Sequence, residues 1–154
     1  MANAGDHKPN GFTPVVAAMD LADYVLHITD NANKFPEFSK KEEKNPDSTI
    51  TAYFVQRQDS LVNRVREQAW QIYILAWTAN EINIIKQPWR KDERLQKEKE
   101  AIRLCGEHLA AIQLCRRHFH LSYRKVKHWG EMVIKTRAYI EKWHESDKDR
   151  YKGI

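Results

Sequence analysis

Histidine and cysteine are few enough in this chain to be weighed one by one. Glu141 and His144 stand three residues apart, the spacing with which helix-bundle carboxylate proteins hold a pair of metal ions. Such a centre needs the motif on two helices, and no second copy exists. His118, His120 and His128 cluster near one expected turn, but no cysteine or carboxylate joins them at the spacing of a zinc site. They read as surface or turn histidines. Cys115 and His118 lie one helical turn apart, the reach of a thiol nucleophile and its base. No orienting group or oxyanion donor accompanies them, so Cys115 reads as a core thiol. Gly-rich phosphate loops, His-Glu-x-x-His and Cys-x-x-Cys are all missing. The expectation is a protein without enzymatic activity, cofactor or metal; a bundle metalloprotein is the reading that metal analysis would have to revive.

Positive charge is the stronger signal. Lys86 to Arg137 holds 14 Lys/Arg against 6 Asp/Glu, a surplus of +8, whereas all 154 residues sum to +5. Cations paired with acids one turn away make an ordinary solvated helix face. A surplus of more than two to one leaves cations that such pairing does not absorb. The chemistry this supports is neutralisation of a polyanion's phosphates, which gives affinity without sequence choice. The candidate contacts are Arg94, Lys97, Arg103, Arg116, Arg117, Arg124, Lys125 and Lys127. An acidic protein surface is the alternative partner for the same face. Trp89 and Tyr123 sit at helix ends beside basic residues, where a base could stack; packing against the end of the fold is the favoured expectation for both.

Helices must position these residues. Only 5 Gly and 5 Pro interrupt a chain rich in helix formers, which favours an all-α protein, and the length suits one domain. The spacing predicts an up-down-up-down antiparallel four-helix bundle over 14–146, between a flexible leader (1–13) and a frayed tail (147–154). The first helix covers about 14–34, with Pro14 at its first position and Ala18, Leu21, Val25, Ile28 and Ala32 inward. Pro36 ends it, and Phe35 and Phe38 fold back onto the bundle end. A polar loop (36–49) leads to a second helix over about 48–86. That helix is apolar nearly all round from Ala69 to Ile85, and its additional face, Trp70, Ile74, Trp77 and Ile84, predicts a subunit interface. A third helix (about 91–118) buries Leu95, Ile102, Cys105, Leu109, Ile112 and Phe119. A turn at His120–Ser122 leads to a fourth (about 122–145), with the seam Val126, Trp129, Val133, Thr136, Ile140 and Trp143. No apolar run reaches the roughly 18 residues of a membrane span, and 1–11 lacks the apolar core of a signal peptide. Cys105 and Cys115 fall about 15 Å apart along one helix, too far for a mutual disulfide. Both are expected reduced, in a cytoplasmic setting.

These residues resemble a known family. Asn33-Lys34-Phe35-Pro36 closes the first helix, and Gln56-Arg57, Leu61 and Val65 follow on the long second one. Leu109-Ala110-Ala111-Ile112, Arg116-Arg117 and a last helix ending Ala138-Tyr139-Ile140-Glu141-Lys142-Trp143 complete the pattern over about 15–145. The chain resembles the four-helix-bundle family that contains the accessory variability determinant (Avd) proteins of diversity-generating retroelements. Related bundle proteins are encoded in intervening sequences of ribosomal RNA. It departs from the family in a longer 36–49 loop and in Arg137-Ala138-Tyr139, where relatives often carry glycine before the aromatic. The resemblance implies a homopentameric barrel with a positively charged surface. That barrel binds the retroelement's reverse transcriptase and its template RNA or RNA/DNA hybrid, and supports error-prone cDNA synthesis without being an enzyme.

Overall fold

The computed structural model describes residues 11–30, 35–39 and 48–154. The leader before Gly11, the expected end of the first helix at 31–34, the loop at 40–47 and the side chains of 48–58, Gln56 and Arg57 among them, lie outside that description. The described residues form four helices and no strand: α1 (Thr13–Thr29), α2 (Ser48–Glu81), α3 (Lys91–Phe119) and α4 (Tyr123–Arg150). Two short 3-10 turns, Pro36–Ser39 and Pro88–Arg90, precede α2 and α3. α1 packs on α2 and α4, and α3 packs on α2 and α4, so the helices enclose one core.

Periodicity explains most of that core. On α1, Ala18, Leu21, Val25 and Ile28 recur at three- and four-residue steps and are all buried. On α4 the whole expected seam, Val126 to Trp143, is buried, including Thr136, whose hydroxyl donates to the Met132 carbonyl at 2.8 Å. Phe35 and Phe38 close the bundle end as expected. Their rings stack at 5.7 Å, and Phe38 meets Phe119 edge-on at 4.7 Å and Trp129 at 6.1 Å.

Three boundaries differ from the sequence expectation. α1 stops at Thr29, because Asp30 turns extended (ψ 136°) while the Thr29 hydroxyl donates back to the Val25 carbonyl at 2.6 Å. α2 stops at Glu81 rather than near Lys86. There the Ile82 carbonyl accepts from Arg94 Nη1 at 2.8 Å, and the Asn83 side chain accepts from the Lys86 amide at 3.1 Å. Both bonds compete with helix continuation. The released Ile82 and Ile84 turn inward and pack with Tyr151. The tail does not fray: α4 runs to Arg150, with Asp147 and Tyr151 buried.

α3 differs in its face. Leu95, Ile102 and Leu109 are only half-buried, while Arg94, Glu98 and His108 point into the core beside Ala101, Cys105, Ile112 and Cys115. The inward stripe is therefore partly polar.

Candidate nucleic-acid interface

The eight basic candidates have different fates in the fold. Arg94 is withdrawn from any surface: it is buried, its Nε 2.8 Å from Asp147 Oδ2 and 3.3 Å from Glu98 Oε2. It is a structural cation, not a phosphate contact. Arg103 is exposed but pairs with Glu100 and Glu107 on its own helix. Lys127 lies 3.9 Å from Glu131, and Lys125 reaches Glu37 at 3.0 Å while its ammonium sits over the Phe35 ring at 4.9 Å. Arg116, Arg117 and Arg124 are exposed and have no carboxylate partner among the described residues, whereas Lys97 is half-exposed and helps Arg90 to hold the Glu93 carboxyl down.

The three arginines flank the α3–α4 turn, which places them at the same end of their two helices. His120 takes the left-handed conformation (φ 58°, ψ 43°), which reverses the chain after Phe119. Its amide and that of Leu121 both return to the Arg116 carbonyl, the latter at 3.2 Å, satisfying an orphan acceptor of the helix end. Ser122 then caps α4, its Oγ accepting from the Lys125 amide at 3.2 Å. Buried Leu121 anchors the link. This short, hydrogen-bonded corner brings the Arg116 guanidinium to 5.8 Å from the Tyr123 ring. Tyr123 is 65% exposed and Trp89 75%, so neither packs on the bundle end as expected.

No family model, curated protein or solved structure matches this chain.

Two buried polar networks lie away from the basic corner. In the first, Arg94 bridges Glu98 and Asp147, and His144 Nδ1 lies 2.8 Å from Glu98 Oε1. His144 thus pairs across helices with Glu98, not with the neighbouring Glu141. One guanidinium between two wholly buried carboxyls leaves one negative charge too many. Burial first, then the Asp147 carboxylate beside it, pushes Glu98 up to about 9, so it holds a proton at neutral pH. Burial lowers His144, with Lys148 adding to the effect, which suits a neutral ring facing a protonated carboxyl. In the second network the Trp129 indole donates to His108 Nε2 at 3.2 Å. An indole only donates, so His108 Nδ1 carries the proton and donates to Gln68 Oε1 at 2.9 Å. Burial lowers His108 to about 4, which keeps it neutral.

The first network predicts a pH dependence. The Glu98 carboxyl has its pKa raised on folding, so its stabilisation is complete below the ordinary value of 4.5 and is lost as pH rises through about 9. His108 acts oppositely, but only between about 4 and its ordinary 6.5. Between pH 7 and 9 the Glu98 effect stands alone between these two groups, and stability should fall by on the order of 1 kcal/mol per pH unit. Glu98→Gln, which keeps the shape and removes the titration, should flatten that slope in thermal melts and raise the melting temperature at pH 8.

The two cysteines lie in the core. Cys105 and Cys115 are buried and unpaired, and burial pushes both thiols up to about 12. Among the described residues no group of three or more His, Cys, Asp or Glu is placed to hold a metal; between Glu98 and Asp147 the place of a cation is taken by Arg94. No helix of the described residues is long and apolar enough to cross a membrane.

Proposed function

We propose that this chain is a non-enzymatic accessory subunit of a diversity-generating retroelement. In this reading it binds template RNA or the RNA/DNA hybrid through its basic surface, and it binds the reverse transcriptase to support mutagenic cDNA synthesis. The observation that carries the nucleic-acid half is that Arg116, Arg117 and Arg124 stand exposed on the helix ends flanking one hydrogen-bonded turn, without carboxylate partners among the described residues. Cations left unpaired in this way are available to phosphates. The polymerase half rests on the sequence resemblance.

The reading includes an up-down-up-down bundle assembled as a homo-oligomer, five-fold by the resemblance. Support comes from α2, where Trp70 and Trp77 stay 48% and 42% exposed and flank Tyr73, with ring centroids 5.8 and 6.1 Å apart. Ile74 beside them is half-buried. Ile84 leaves this interface set, because it is buried within its own chain against Ile82 and Tyr151. A ring would repeat the basic corner around its rim.

Charge reversal tests the reading. Arg116→Glu with Arg117→Glu should weaken RNA binding at least tenfold while circular dichroism stays unchanged, since both side chains are exposed. Full binding by this variant would remove the corner from the account. If the surface instead meets an acidic protein, wild-type protein purified without nuclease will carry no absorbance excess at 260 nm and will bind no RNA.

A further inference from the structure

We propose that Tyr123 is a stacking platform that makes the α3–α4 corner prefer unpaired bases, so that single-stranded template RNA binds more tightly than duplex, which meets the charges alone; this rests on the nucleic-acid reading above. Tyrosine at the first position of a helix has no need to be exposed, and Leu121, two residues earlier, is buried at the same turn. Tyr123 instead presents 65% of its surface to solvent. The Arg116 guanidinium lies 5.8 Å from its centroid, within cation–π reach, so the ring and a phosphate-binding cation stand side by side. Arg117 and Arg124, each adjacent in sequence to one member of that pair, are exposed and lack carboxylate partners among the described residues.

The arrangement is therefore an exposed aromatic face with one guanidinium beside it and two further exposed arginines on the flanking helix ends. Phosphates of a strand would meet the arginines while one base lies on the ring. In a duplex the bases are already stacked on each other and do not reach a side chain at the surface. Duplex RNA would engage only the charges. The corner's own hydrogen bonds, from the His120 and Leu121 amides to the Arg116 carbonyl and from the Lys125 amide to Ser122 Oγ, hold the backbone that carries the ring before any strand arrives. Little backbone ordering entropy is then left for binding to overcome.

Fluorescence anisotropy with an unstructured single-stranded RNA and a duplex of equal length tests this on full-length wild type, Tyr123→Ala, Tyr123→Phe and the Arg116→Glu/Arg117→Glu variant. Tyr123→Ala should lose about tenfold in single-strand affinity and leave duplex affinity unchanged. Tyr123→Phe, which keeps the ring, should bind as wild type. Equal loss on both RNAs, or no loss on the single strand, overturns the proposal. If charge reversal abolishes binding while Tyr123→Ala binds normally, the basic surface stands and the stacking fails. If wild type binds neither RNA, the surface reading itself fails and takes this one with it.

Discussion

Arg94→Met is expected to lower the free energy of unfolding by about 3–5 kcal/mol in denaturant titration. Arg94 is the only cation placed between Glu98 and Asp147 among the described residues, and its Nη1 also satisfies the Ile82 carbonyl where α2 ends. Its guanidinium lies 5.5 Å from the Trp143 ring and 5.7 Å from the Tyr151 ring, so aromatic packing holds it as well. Methionine fills the volume but leaves Asp147 as a buried, uncompensated charge. The cost is thus the stranded carboxylate rather than the worth of the pair. The distinction can be measured, because a triple Arg94→Met, Glu98→Gln, Asp147→Asn variant strands no charge and should regain most of the loss. A single-variant loss below about 1 kcal/mol would mean that water screens the network as it does surface pairs.

The second large effect is expected at Trp129. Its side chain is wholly buried, with Phe35 at 6.3 Å, Phe38 at 6.1 Å and His108 at 5.6 Å between ring centroids. Trp129→Ala removes the largest fully buried side chain among the described residues and should cost about 3–5 kcal/mol. Trp129→Phe keeps most of the packing and removes the indole donor. It leaves His108 Nε2 buried without a partner, for about 1–3 kcal/mol. A second change, His108→Leu, should then cost less in the Trp129→Phe background than in wild type, since the unpaired acceptor goes with it. Chemical denaturation of wild type, the two single variants and the double variant closes the cycle, and strict additivity would deny the coupling.

These two residues mark where the sequence is legible and where it is not. The seams of α1 and α4 are readable because apolar residues recur on one face at three- and four-residue steps. α3 misleads because Arg94, Glu98 and His108 look like surface residues, so periodicity places the stripe on Leu95, Ile102 and Leu109. Burial of a charge depends on partners distant in sequence, here Asp147, and for His108 both Gln68 and Trp129. Periodicity carries no record of them. One clue is present: an indole in the middle of the α4 seam needs a buried acceptor. The tail misleads for the same reason, since Asp147 looks like a solvated residue until Arg94 is known to face it.

The basic excess is legible, but the identity of its free members is only half so. Arg103 with Glu100 and Glu107, and Lys127 with Glu131, are pairs one turn apart that the spacing already contains. The pairing of Lys125 with Glu37, across 88 positions, is not. Only after these subtractions do Arg116, Arg117 and Arg124 stand out as a cluster on one turn.

The most direct test is the salt dependence of RNA binding. Three arginines neutralising three phosphates of a single strand give a slope of about −2 in log affinity against log salt, or roughly twentyfold weaker binding between about 50 and 200 mM. A ring that presents several corners to one strand would steepen it. Wild-type protein is predicted to show at least this slope, with the Arg116→Glu/Arg117→Glu variant losing most of it. An affinity that stays flat across that range would contradict the account.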